Sequence, residues 1–208
     1  MQGPDVMKST KFSKKGLMIL YTSPWPGQGF YTKSPVNSVA DFKGKKLRIY
    51  STATQQMGSM LGFNATILPF AEIPQAFSTG LIEALFTSPQ TGIDIQAWDN
   101  TKHFTYAGAI FSKNAVVVSK KAFEALSKDD QSNILAAAKR AELRGWEMSA
   151  ETTKKQIKTL ENNGMSAKNA PDEVISTMKT IGLEMMKSWR EKASPEANAV
   201  LDRYLSMR

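Results

Sequence analysis

Through the first hundred residues, short apolar runs framed by turn residues alternate with amphipathic stretches. After Ser119 the pattern changes to long helical periodicity. Gly16-Leu17-Met18-Ile19-Leu20-Tyr21 reads as a buried strand, and Lys8–Lys15 before it as the end of a helix. In Thr22–Tyr31, two prolines and two glycines argue against any regular element. A strand follows at Lys46–Tyr50, then a helix to Leu61 capped by Ser51 or Thr52 and ended by Gly62. Ala65–Pro69 and Leu81–Phe86 read as strands, with a short Pro74-containing helix between them, and Pro89–Trp98 as a further helix. Short connections between alternating strands and helices predict an α/β protein with a mainly parallel sheet. Phe104–Ile110 and Ala115–Val118 read as strands crossing to another part of the molecule.

In the C-terminal half, Lys120–Leu126 is a short helix. Ser127 caps a long one that runs to about Asn163 and stops at Gly164. Its apolar positions thin out after Trp146, so its second half is expected to be partly exposed. Asp172–Ala193 places Val174, Met178, Ile181, Met185 and Trp189 on one side, and Pro195–Met207 closes the chain as a last helix.

Arg48 sits inside a predicted strand between apolar neighbours. A guanidinium held there and aimed into a cleft grips a carboxylate with two parallel hydrogen bonds. Ligands of parallel sheets sit beyond the carboxyl ends of the strands, where Arg48, Thr87 and Ser88 all fall. The helix start after Arg48 would add N–H groups at the same spot. Trp25, Gln28 and Tyr31 are candidates to line a ligand cleft, with ordinary loop packing as the competing reading. For Thr87 and Ser88 the competing role is helix capping, and for Asn114, just before a crossing strand, a turn.

The 208 residues suffice for one large domain or two small lobes, and 41% hydrophobic residues are ordinary for a globular protein. With no cysteine, thiol catalysis, zinc–thiolate sites and disulfides are excluded, and a single histidine disfavours a histidine metal site. The net charge of +8 comes from lysines spread along the chain. It reads as a solvated surface that also draws anions, and no nucleic-acid motif accompanies it. No apolar run is long enough to insert directly into a membrane. Met1–Asp5 has neither the charged nor the apolar region of a signal peptide, so the chain reads as cytoplasmic, a mature form or a piece of something longer.

Several segments carry a family resemblance. Ser38-Val39-Ala40-Asp41-Phe42-Lys43-Gly44-Lys45-Lys46-Leu47-Arg48 resembles a segment of the solute-binding receptors of tripartite ATP-independent periplasmic (TRAP) transporters. So do Pro69–Ala84, with Thr79-Gly80-Leu81-Ile82-Glu83, and Ala115–Ser127. The Trp25-Pro26-Gly27-Gln28-Gly29 loop is similar to a subgroup variant.

The resemblance implies a two-lobe, type II-like periplasmic-binding-protein fold that closes on a ligand about its crossing strands, with long C-terminal helices. It divides the chain into a first-lobe remnant with a crossing strand (1–21), a ligand-binding α/β lobe (22–110), and a crossing strand with packing helices (111–208). It implies a receptor rather than an enzyme, without cofactor or metal, working in the periplasm with TRAP permease membrane subunits. Arg48 takes the family's carboxylate-binding role. A second arginine of many members falls on Gln28, and the family's asparagine falls near Thr87, which favours a monocarboxylate over a diacid. Residues Arg48, Gln28, Trp25, Tyr31, Thr87, Ser88 and Asn114 form the expected ligand-binding set.

Two other classes compete. One is a small-acid-converting α/β enzyme with Glu72 or Glu83 as general base, which lacks any nucleophile, phosphate-loop or metal motif to support it. The other is a helical interaction protein built from residues 120–208. The resemblance also implies that the chain matches the later part of a receptor and lacks an N-terminal portion. The chain alone is then expected to bind an organic acid weakly or not at all. Calorimetry giving nanomolar affinity is the result that opposes this expectation.

Overall fold

The computed structural model describes residues 11–207. The reading of Met1–Asp5, and that of residues 8–10, lie outside them. The single turn α1 (Lys11–Lys14) leads through Gly16 into β1 (Leu17–Pro24), and β2 (Gln28–Thr32) follows almost at once. The expectation of an irregular Thr22–Tyr31 is therefore corrected, since only residues 25–27 lie outside strands. Pro24 is the last residue of its strand, where a missing N–H is tolerated. Neither Gly27 nor Gly29 takes a left-handed backbone.

Next come β3 (Lys46–Ile49), α2 (Thr52–Met60) and β4 (Asn64–Ile67). Ser51 is the cap of α2, its Oγ accepting from the Thr54 N–H at 3.2 Å. Then follow α3 (Ile73–Ser78) with Pro74 in its first turn, β5 (Ala84–Thr87), and α4 (Pro89–Asp94). α4 is shorter than the pattern predicts. Gln96 turns left-handed (φ 50°), and a 3-10 turn over Ala97–Asp99 replaces the last turn. After β6 (His103–Ala109) and β7 (Lys113–Ser119) come α5 (Lys120–Glu124) and the 35-residue α6 (Lys128–Asn162). β8 (Ser166–Asn169), α7 (Asp172–Arg190) and α8 (Pro195–Ser206) complete the chain. β8 is not foreshadowed by its sequence. Ser-Ala-Lys-Asn has no apolar run, and the strand is held by its place at a sheet edge.

The described residues divide into two compact units: those up to Gly29 with Thr87–Trp98 and Gly108–Ala167, and Phe30–Phe86 with Asp99–Ala107 and those from Lys168 onward. The second unit holds the body of a six-stranded sheet ordered β4-β3-β5-β2-β6-β8. β3 runs parallel to both neighbours, Arg48 standing opposite Thr66 on β4 and Leu85 on β5. Four phenylalanines form its centre. Phe30 lies 4.7 Å from Phe42 and 4.8 Å from Phe86 between ring centroids, and Phe42 stacks on Phe63 at 4.5 Å. Gly58 of α2 permits the helix to lie tight on the sheet, because a Cβ there would meet Ala65 Cβ at 3.0 Å and Leu47 Cδ2 at 3.1 Å. From α7, Val174, Met178, Ile181 and Met185 pack on this core as their spacing predicts. Trp189 does not, and remains 49% exposed in the final turn, one turn past the last core contact.

The first unit is built on β1 and β7, antiparallel from Leu17↔Ser119 to Pro24↔Lys113, with α6 lying along β1 and α4 against α6. The second half of α6 is partly exposed, as its thinning apolar positions predict. Leu160 in its second half is fully buried, whereas Leu135 and Trp146 are exposed. α4 packs on α6, and Gln156 Nε2 donates to Gln90 Oε1 at 3.1 Å.

Ahead of β3, the Asp41 carboxylate of the 3-10 turn Val39–Phe42 accepts from the N–H of Asn37 (2.8 Å) and of Ser38 (2.9 Å). These two bonds, with Lys45 nearby, hold its pKa below the usual aspartate value. A depressed native pKa contributes stability above the unfolded value of about 3.9, and that contribution is lost as pH falls through the lowered native value. Urea midpoints measured below about pH 4 are therefore expected to fall more steeply with acid for the wild-type chain than for Asp41→Asn.

Candidate functional site

Arg48 is the feature around which a binding site can be built. Its strand, β3, is flanked on both sides, so a side chain at its carboxyl end is drawn from water. Arg48 is only 4% exposed. Its Nε donates to the Leu68 carbonyl at 3.0 Å. The Leu68 N–H in turn donates to the Ile49 carbonyl at 3.2 Å, so the anchor is itself fixed to β3. The guanidinium carbon lies 5.9 Å from the Tyr50 ring centroid. Burial pulls the Arg48 pKa below its ordinary value, with Tyr50 acting in the opposite direction, and an arginine so placed keeps its charge. Among the described residues no carboxylate is paired with it. A buried cation held by one backbone carbonyl and an aromatic ring is a poor stabiliser by itself and a strong receiver of an anion.

The helix start beyond Arg48 is partly used by its own cap. Besides the Thr54 N–H on Ser51 Oγ, the Gln55 N–H donates to the Ser51 carbonyl at 2.9 Å. Tyr31, in the same unit, is fully buried. Its ring lies 4.5 Å from that of Phe104, and burial raises its phenol pKa well above the usual value.

The remaining expected residues fall in the first unit. Gln28 is buried at the start of β2 and its Nε2 donates to the Ile110 carbonyl at 3.1 Å. The half-buried Trp25 donates its backbone N–H to Ser112 at 2.8 Å. Thr87 is buried at the end of β5. Ser88 caps α4, its Oγ accepting from the Thr91 N–H at 3.1 Å and donating to Thr91 Oγ1 at 3.0 Å, so the capping role is realised. Asn114 is exposed on β7 opposite Ser23, within the ladder rather than in a turn. The structure thus groups Arg48 with Tyr31 in one unit, and Trp25, Gln28, Thr87, Ser88 and Asn114 in the other. The segment at Ile110–Ser112, which holds both Trp25 and Gln28, escaped the sequence reading. Its only local signal is an Ile-Phe pair in a turn between two strands.

Arg48 is thus a sheet-borne, desolvated guanidinium with no paired carboxylate among the described residues of an α/β protein. The profile of bacterial extracellular solute-binding protein family 7 (DctP) matches residues 5–192, and this chain belongs to that family of TRAP transporter solute receptors. The chain is 38% identical to DctP7, an extracytoplasmic solute receptor of Bordetella pertussis described as binding pyroglutamic acid. The TM-score is 0.92 over 96% of this chain and 66% of that one. It is 34% identical to a TRAP solute-binding protein from an unidentified marine microbe, described as specific for pyroglutamate. There the TM-score is 0.90 over 97% of this chain and 66% of that one. A curated solute-binding protein of Chromohalobacter salexigens is 26% identical over 153 residues, 70% of this chain and 45% of that protein. The chain therefore spans about two thirds of those solved receptors and less than half of the curated relative. Its fold is the α/β fold of the TRAP periplasmic binding proteins. Among the described residues no helix is long and apolar enough to cross a membrane.

One further contact steadies the strand that leads to Trp25 and Gln28. Glu142 of α6 accepts from both the backbone N–H of Thr22 (3.0 Å) and its Oγ1 (2.6 Å), and Thr22 is buried. Removing this acceptor strands two donors. Glu142→Ala is expected to cost about 1–3 kcal/mol of stability in denaturant titration, and Glu142→Gln, which keeps an acceptor oxygen, less.

Proposed function

We propose that this chain is the ligand-capturing part of an extracytoplasmic receptor that binds a small monocarboxylate, with pyroglutamate as the favoured solute, and delivers it unchanged to TRAP permease subunits from the periplasm. The observation that carries this reading is Arg48, a buried cation without a paired carboxylate among the described residues. Its Nε is occupied by Leu68, so the solute carboxylate spans the two Nη atoms. Gln28, Trp25, Tyr31, Thr87, Ser88 and Asn114 are the proposed remaining ligand-binding residues. Two solved receptors, 38% and 34% identical, are described as binding pyroglutamate, which supports this choice of solute. Pyroglutamate carries one carboxylate and a neutral lactam. That chemistry suits one arginine accompanied by the uncharged amide of Gln28 and the hydroxyls of Thr87 and Ser88 better than a dianion would. Arginine with neutral polar groups supplies binding and no reacting group, so no turnover of the acid is expected.

NMR titration of the 208-residue chain with L-pyroglutamate, carried into the millimolar range, tests this reading. Arg48→Lys replaces a fork by a point charge and is expected to weaken binding about tenfold or more, equivalent to about 1.4 kcal/mol. Circular dichroism serves to confirm that the variant is folded. Unchanged affinity in a folded Arg48→Lys chain overturns the assignment.

A further inference from the structure

The turn between β6 and β7 combines three features that packing does not account for. Ile110 has φ 54°, a left-handed backbone that a β-branched side chain adopts only under strain. The strain is not offset by burial, since the Ile110 side chain is 37% exposed. Phe111, next to it, is 70% exposed, although Phe104 in the preceding strand is fully buried. Yet the turn is not loosely held. The Ile110 carbonyl accepts from Gln28 Nε2 at 3.1 Å, and the Ser112 carbonyl accepts from the Trp25 N–H at 2.8 Å. Both residues flanking Phe111 are therefore tied to the Trp25–Gln28 segment, and the phenyl ring is presented outward from a fixed base. Strain of this kind persists where the surrounding structure over-determines it, and it concentrates at ligand clamps.

We propose that Phe111 is an additional ligand-contacting and specificity-determining residue, a rigidly presented aromatic cap that covers the apolar face of a small cyclic monocarboxylate held beside Gln28 and Trp25. This rests on the reading that Gln28 and Trp25 belong to the solute site. The strained backbone at Ile110 directs its carbonyl to the Gln28 amide and thereby sets the height of the phenyl ring. A ring-shaped solute presents a flat face for aromatic contact. An acyclic acid such as lactate presents much less, so the cap favours rings.

The test is an NMR titration of the full 208-residue chain with L-pyroglutamate and, separately, L-lactate, using wild type, Phe111→Ala, Ile110→Gly and Arg48→Lys. Phe111→Ala is expected to keep the wild-type melting midpoint, because the ring is exposed. It is expected to bind pyroglutamate about five- to tenfold more weakly, with a smaller change for lactate. Ile110→Gly is expected to raise the melting midpoint while weakening pyroglutamate binding. A purely structural role would raise the midpoint and leave binding untouched. Wild-type affinity in Phe111→Ala, alongside weakened binding in Arg48→Lys, overturns the cap and leaves the receptor reading standing. Wild-type affinity in Arg48→Lys overturns the receptor reading itself. The sequence leaves weak binding and no binding open, and the proposed function takes the first; absence of any pyroglutamate-induced shift in the wild-type chain up to tens of millimolar, weaker than about 2 kcal/mol of binding free energy, therefore overturns both.

Discussion

Arg48 is desolvated on a flanked strand, and its local partners are one carbonyl and one aromatic ring. Taking a guanidinium out of water is costly, and a single neutral acceptor at Leu68 offsets only part of that cost. The fold bears it because β3 has neighbours on both sides and its register with β4 and β5 leaves the side chain little choice of direction. An anion that lies across the remaining nitrogens converts a destabilising group into a strong, oriented contact.

Within each unit, other contacts fix the neighbouring elements. In the sheet-bearing unit, four phenylalanines and the close approach of α2 at Gly58 lock β3 and its neighbours. In the other unit, Glu142 holds Thr22, and Gln28 and Trp25 are tied across to the Ile110–Ser112 turn. These are mostly polar contacts from side chain to backbone. They fix direction more than they add stability.

Much of this was legible in the chain. Capping serines at 51, 88 and 127 each accept an N–H at a helix start, because capping is a local interaction between residues three apart. The parallel placement of the strands around Arg48 follows from short alternating elements. The misreadings have one character. Trp189 looks like a core residue by spacing but is exposed, and β8 carries no strand pattern at all. In each case the deciding partner lies far away in the chain. The Thr22–Tyr31 stretch was judged by its prolines and glycines one at a time, whereas ladder pairing at both ends leaves only three residues outside strands.

The sequence by itself determined most of the elements, their boundaries to within a few residues, and the family, because these depend on short-range periodicity, capping and motif spacing. Only the tertiary structure decided that Arg48 is desolvated and unpaired with any carboxylate among the described residues, that Tyr31 is buried with its ring beside Phe104, and that Ile110 takes a left-handed backbone and accepts from Gln28 while Phe111 is exposed. Burial, pairing and backbone strain are properties of which distant segments meet, and no local pattern encodes them.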